Sequence, residues 1–231
     1  MGGTAILFDE SHGDYFHIVN TEDEGLSLLA DILKQYGFEV STALSLGALS
    51  NAGVLVVNVP QKPFTEAEVA TLKQFVDNGG GLLLVAELGN ILNHKDNITP
   101  LAAAFGIGFN PDHVTEESDD PTAYTPIVVD NDHPVMSGIS EVLYLAGCSL
   151  RADGDNAFTL AYGDHHFADA NMDMSRDEGE EGYPPIIVGA ESGQGRVIAL
   201  GDGSMITNEH LLKADNKFLM VNIMRWLLKQ N

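Results

Sequence analysis

The chain is poor in positive charge and in sulfur. Eleven lysines and arginines face 34 aspartates and glutamates across 231 residues, a formal net charge of −23. A surface of that sign repels phosphate backbones and anionic lipids, which argues against nucleic acid and anionic membranes as partners. The acid excess reads first as a solvated face suited to solubility, including in high salt, and second as a cation-binding face. A single cysteine, Cys148, excludes an internal disulfide and a cysteine-rich zinc site. No apolar run approaches the ~20 residues a bilayer-spanning helix needs, so direct membrane insertion is not expected. No signal peptide is present in the chain. Met1-Gly2-Gly3 leads straight into a strand, an abrupt start that resembles an excised domain. The compartment therefore stays open between the cytoplasm and an exported or membrane-associated parent protein.

What is present is a core. The hydrophobic fraction of 44% is ample for one large α/β domain, expected to span 1–231. Gly79-Gly80-Gly81-Leu82-Leu83-Leu84-Val85-Ala86-Glu87 is its most telling stretch. The glycines let a helix stop and the backbone turn, and the apolar run without alternation suits a strand covered on both faces. Thr4–Phe8, Phe38–Thr42 and Gly53–Val59 read as further strands. Glu22–Tyr36 reads as a helix capped by Thr21 with Glu24, and a second helix starts at Thr65 with Glu68 as its box partner. Strand, helix, strand, strand, helix, strand predicts a mostly parallel sheet with helices on both sides.

Beyond it the pattern is less regular. Ile98–Phe105 reads as a short helix starting at Thr99-Pro100, Thr115–Pro121 as an acidic loop, and Ile127–Val129, Val142–Leu145 and Ala157–Tyr162 as strands. Gly163–Gly182, with Asp164, His165, His166, Asp169 and Glu181, reads as a solvated acidic loop. Pro185–Ala190 and Arg196–Leu200 predict a hairpin, and Asn216–Leu228 a last helix with Asp215 as its N-cap. A β-rich extension is expected over about 106–190.

Several stretches carry a resemblance. They are Ile6-Leu7-Phe8-Asp9-Glu10-Ser11-His12-Gly13, Lys62-Pro63-Phe64-Thr65-Glu66, Gly79-Gly80-Gly81-Leu82, His133-Pro134-Val135 and Gly195-Arg196-Val197-Ile198-Ala199-Leu200-Gly201-Asp202. Together they resemble the class I glutamine-amidotransferase-like superfamily, closest to a non-catalytic prokaryotic branch common in archaea. Related branches are the gliding-motility ABC-transporter auxiliary, intraflagellar-transport amino-terminal and ThuA-like domains. The resemblance implies a three-layer, flavodoxin-like α/β fold. Catalytic members carry Gly-x-Cys-x-Gly after the strand equivalent to Leu82–Ala86. Here that elbow reads Ala86-Glu87-Leu88-Gly89-Asn90, with no thiol, and no His-x-Glu pair follows the last strand. Cys148 lies far along the chain, where a small buried apolar residue is the expectation.

Polar residues collect at expected carboxyl ends of strands: Asp9, Glu10, Ser11 and His12; Asn58; Glu87 and Asn90; Asp202, Ser204 and Asn208. In a doubly wound sheet these ends share one edge, where a ligand would sit. Asp9, His12, Glu87 and Asp202 are of the types that hold a divalent cation, so a cation is the one cofactor the pattern admits. The plain alternative is that the cluster caps helices and satisfies turns. The leading expectation is a non-catalytic binding or scaffolding domain for a small ligand, a carbohydrate or a protein, homo-oligomerisation included. The rival is a hydrolase, metal-dependent or not, built on the strand-end carboxylates and histidine.

Overall fold

The computed structural model describes residues 5–116, 127–128, 132–145, 147–164, 166–180 and 182–230. Residues 117–121 of the expected acidic loop, Val129, His165 and Glu181 lie outside them. In chain order the elements are β1 (Ala5–Asp9), α1 (Ser27–Gln35), β2 (Glu39–Ala43), β3 (Ala52–Asn58), α2 (Glu66–Asp77), β4 (Gly81–Val85) and α3 (His94–Ala103). Then come β5 (Ile107–Phe109), β6 (His113–Thr115), β7 (Ile127–Val128), β8 (Glu141–Val142), β9 (Leu150–Ala152), β10 (Ala157–Tyr162) and β11 (Phe167–Asp169). The chain closes with β12 (Pro185–Ser192), β13 (Gly195–Leu200) and α4 (Asn216–Leu227).

The main sheet has seven strands in the order β10-β12-β13-β4-β3-β1-β2. The five from β13 to β2 run parallel, and β12 and β10 add an antiparallel edge. The order 2-1-3-4 of the first four strands is the flavodoxin-like one, with its switch point between β1 and β3. The glycine-led strand β4 sits in the middle. Its five residues are wholly buried because side chains alternate between two covered faces. Leu83 and Val85 join α1 and α4 in one cluster; Leu82 and Leu84 join α2 and α3 in the other. This is the mostly parallel α/β fold with flanking helices that the sequence predicts. β10 and β12 of the 106–190 segment complete the main sheet, while β5 to β9 and β11 form three small two-stranded ladders.

α2 is framed as its sequence dictates. Thr65 and Glu68 form a reciprocal capping box. At the other end Gly79 has φ +107°, and its N–H reaches Val76 O at 2.8 Å while that of Gly80 reaches Phe75 O at 3.0 Å. That pair of bonds is a Schellman stop. A side chain at Gly80 would meet the Phe75 ring at about 2.4 Å, so close approach explains the second glycine.

Three local expectations are corrected. α1 begins at Ser27, not Glu22, and no box forms from Thr21 and Glu24. The backbone at Gly25 packs against that of Asn20, leaving no room for a side chain there. The amino end of α1 is served from 180 residues away: Asn208 Oδ1 accepts the Leu28 N–H at 2.9 Å. α3 begins at His94, and Pro100 lies inside it, tolerated at the loss of one backbone bond. Asp215 holds the N-cap position of α4, but its carboxylate accepts from Ser140 N and Oγ and from Glu141 N.

Asn208 also donates to Asn20 O and Glu22 O. Asn208→Ala is therefore expected to cost about 2 kcal/mol, as for a lost helix cap plus hydrogen bonds. Urea unfolding should show a lower midpoint at unchanged slope.

Candidate functional site

The candidate residues divide into separate groups. At the end of β1, Asp9 is fully buried and accepts from Ser11 N at 2.9 Å, Ser11 Oγ at 2.6 Å and His12 Nδ1 at 2.6 Å. Burial opposes ionisation of Asp9, yet those hydrogen bonds outweigh it and hold the carboxyl below its usual range. The His12 ring stacks on Phe64 at 3.7 Å between centroids and turns Nε2 toward Glu68 at 3.6 Å. Ser11 Oγ lies 3.1 Å from Nδ1, the nitrogen already facing Asp9. A nucleophile–base–acid triad needs serine and acid on opposite ring nitrogens, so this arrangement is a structural knot, not a triad. Glu10 points elsewhere and pairs with His17 at 3.1 Å.

Asn58 ends β3. Its backbone N–H donates to Asp14 Oδ2 at 2.6 Å and its side-chain nitrogen to Phe16 O at 2.9 Å. Asp14 Oδ1 and Asn58 Oδ1 are both buried without a partner. Burial, with the charge of Asp9 adding to it, pushes the Asp14 carboxyl well above its usual range.

Glu87 follows β4 and is 7% exposed. Oε1 accepts the Leu88 N–H at 3.1 Å; Oε2 accepts the N–H and hydroxyl of Ser204 at 3.1 and 3.0 Å. Burial, with the nearby Asp202 charge, raises its carboxyl well above the ordinary glutamate range. His94 fixes the backbone here. Its Nδ1 must donate to Ile91 O at 2.6 Å, which leaves Nε2 to accept the Glu87 N–H at 3.0 Å. Burial lowers the imidazole's pKa, consistent with this neutral form. Asp202 is fully buried and accepts from Leu145, Ser204 and Met205 N–H groups, which closes the turn after β13. Asn90 Oδ1 accepts the Lys95 N–H at 2.9 Å, serving the start of α3.

A cavity of about 300 Å³ opens at this strand-end edge. Of the ten candidates only Glu87 and Ser204 line it. Tyr15, Phe16, Val59 and Leu88 give it apolar walls, Thr207 and His210 add polar groups, and Asp23, Glu24 and Glu209 add carboxylates. Thr207 Oγ1 donates to Ser204 O at 2.8 Å and lies 3.2 Å from His210 Nδ1. With its proton committed, the hydroxyl accepts from Nδ1–H, and Nε2 lies 3.8 Å from Glu209 Oε1. Val59 has φ +48°, a strained state for a β-branched residue, held by its N–H on Val85 O and by Tyr15 N–H on its carbonyl. Backbone strain at a cavity wall is a mark of functional sites that no sequence pattern announces.

Cys148 sits fully buried with its N–H on Gly201 O, close enough to the end of β4 for the Glu87 charge to act on its thiol. Burial pushes its thiol up to about 12, so the nucleophilic thiolate does not form near neutral pH. Its neighbourhood is less apolar than the sequence suggests, because the buried Lys95 ammonium lies beside it and donates to Asn110 O. Among the described residues no group of three or more histidine, cysteine, aspartate or glutamate side chains is arranged to hold a metal ion. Among them, too, no helix is long and apolar enough to cross a membrane.

A mostly parallel sheet of this order with flanking helices fits a ThuA/amidotransferase-like α/β fold. Residues 19–224 match the family described as a domain of unknown function, DUF4350, and the chain belongs to that family. An uncharacterised protein of Aquifex aeolicus (strain VF5) is 34% identical over 92 residues, a match spanning only 39% of this chain and 39% of that protein. Among solved structures, the mmIFT52 N-terminal domain superposes with a TM-score of 0.78 at 21% identity, covering 97% of each chain. A ThuA-like protein of Bacteroides uniformis gives 0.57 at 16%, covering 98% of this chain and 92% of that one. The cold-adapted β-galactosidase of Rahnella sp. R3 gives 0.57 at 12%, over 99% of this chain but 32% of the enzyme. At these identities the likeness is one of fold.

Proposed function

We propose that the domain is a non-catalytic receptor for a small neutral or cationic ligand, held in the cavity beside Glu87. One observation carries this: a concave site at the carboxyl ends of the parallel strands, walled by Tyr15 and Phe16, whose acidic lining is Asp23, Glu24, Glu87 and Glu209. Aromatic faces with carboxyl acceptors suit a carbohydrate or an amine, and the charge of Asp23, Glu24 and Glu209 rejects a carboxylate or phosphate. Its volume falls at the small end of the range for ligand pockets. Hydrolysis by Glu87, Asp9, His12 and Asp202 together is less supported. Asp9 and His12 belong to the knot at β1, Asp202 closes a turn, and Glu87 alone of the four lines the cavity.

The test is an NMR titration of the protein with neutral sugars, amines, carboxylates and phosphates, followed at the Tyr15 and His210 resonances. Saturable shifts from a sugar or an amine are expected, with none from the anions. Shifts from anions alone, or from no member of the panel, would overturn the reading.

A further inference from the structure

A second concave site lies at the opposite edge of the sheet. It is a groove of about 400 Å³ between the end of α4 and the start of β13, lined by Ser137, Arg196, Arg225, Trp226 and Lys229 among others. Arg196 pairs in register with Gly81, the first residue of β4, whereas Glu87 lies beyond that strand's last residue. The two sites are thus separated by the length of a strand. We propose that this groove binds a tetrahedral oxyanion: inorganic phosphate or the phosphate end of a small organic ester.

The argument is one of charge. Acidic side chains outnumber basic ones 34 to 11 in this chain, yet three of the eleven basic residues line one groove and, among the described residues, no acidic one does. Neither Arg225 nor Lys229 forms an ion pair among the described residues. Arg225 lies over the Tyr36 ring at 5.5 Å, and Lys229 Nζ donates to Gln194 O. Arg196 is pinned by a bond from Nη1 to Trp226 O at 2.8 Å and stacks over the Trp226 ring at 4.7 Å. Its Nε faces the exposed Glu191 at 3.5 Å, which leaves other guanidinium donors open. Cations near a helix C-terminus complement its dipole, and that accounts for Arg225 and Lys229. It does not account for the lack of carboxylate partners in so acidic a chain. Two planar guanidinium forks and an ammonium match the geometry of a phosphate and its charge of about −1.5 to −2.

Trp226 is the sole tryptophan, so intrinsic fluorescence reports on this groove and not on the Glu87 cavity. The intact chain is titrated at pH 7.5 with sodium phosphate, glycerol phosphate, acetate and chloride at matched ionic strength. A saturable change with phosphate or the ester, absent with acetate and chloride, is expected. Tighter binding of glycerol phosphate identifies an organic ester as the occupant, and equal or weaker binding identifies free phosphate. Arg225→Gln and Lys229→Gln, both at exposed positions, should each weaken binding roughly tenfold with unchanged melting. A response to phosphate no different from that to chloride or acetate overturns the proposal, as does wild-type affinity in the double variant.

Discussion

Asp14→Asn should stabilise the protein at pH 7.5 by about 1–3 kcal/mol, the scale of an uncompensated buried polar group. Asp14 is almost wholly buried, and its Oδ1 finds no partner. Its folded pKa is raised, so between the unfolded value near 4 and that raised value the folded state holds more protons than the unfolded one. Stability is then lost as pH rises through that window. Asparagine removes the charge, keeps an oxygen for the Asn58 N–H and offers a donor where two acceptors now stand unpartnered. The gain should shrink as pH falls through the window and vanish near pH 4, where Asp14 is protonated. Chemical denaturation of both proteins from pH 4 to 8 measures it; a variant less stable than wild type at pH 7.5 would contradict the account.

Asp9→Ala should do the reverse and do more. Three hydrogen bonds to a buried carboxylate are lost, each worth about 1.5–3 kcal/mol. Asp9 accepts three hydrogen bonds that tie the turn after β1 together, and without it His12 keeps only Ser11 Oγ and the more distant Glu68. The folded pKa of Asp9 is lowered, so its contribution is present above the unfolded value and lost as pH falls through the folded one. The two aspartates therefore bend the stability curve in opposite directions. Asp14 favours the mildly acid side, and Asp9 fails only in stronger acid. Denaturant midpoints at pH 7.5 and pH 3 measure the effect, which should be large at the first and small at the second.

The fold was legible because its signals are local and repeated. The uniformly apolar β4, the Thr65–Glu68 box and the glycine stop before β4 each depend on residues a few positions apart. The start of α1 was not legible, because its cap is Asn208, distant in sequence and adjacent only after folding. The candidate site was legible in kind more than in membership. The rule that strand ends share an edge selected Glu87 and Ser204, which do line the cavity. It also selected Asp9, Asn58, Asp202, Asn90 and Asn208, whose side chains are committed to backbone and turn partners. Sequence shows that a carboxylate ends a strand but not which neighbours saturate it. Tyr15, Phe16, Thr207 and His210 were missed because they sit on loops without periodicity. The positive φ of Val59, which helps shape the wall, leaves no trace in residue type.

The central claim is that an acid, not a thiol, organises the strand-end site. It is tested most directly by calorimetric titration of the best ligand from the NMR panel into wild type, Glu87→Leu and Cys148→Ala, with melting curves to confirm folding. The account predicts at least a roughly tenfold loss of affinity in the glutamate variant, as for a lost hydrogen-bonding partner, and none in the cysteine variant. Affinity unchanged by the first substitution and abolished by the second would contradict it.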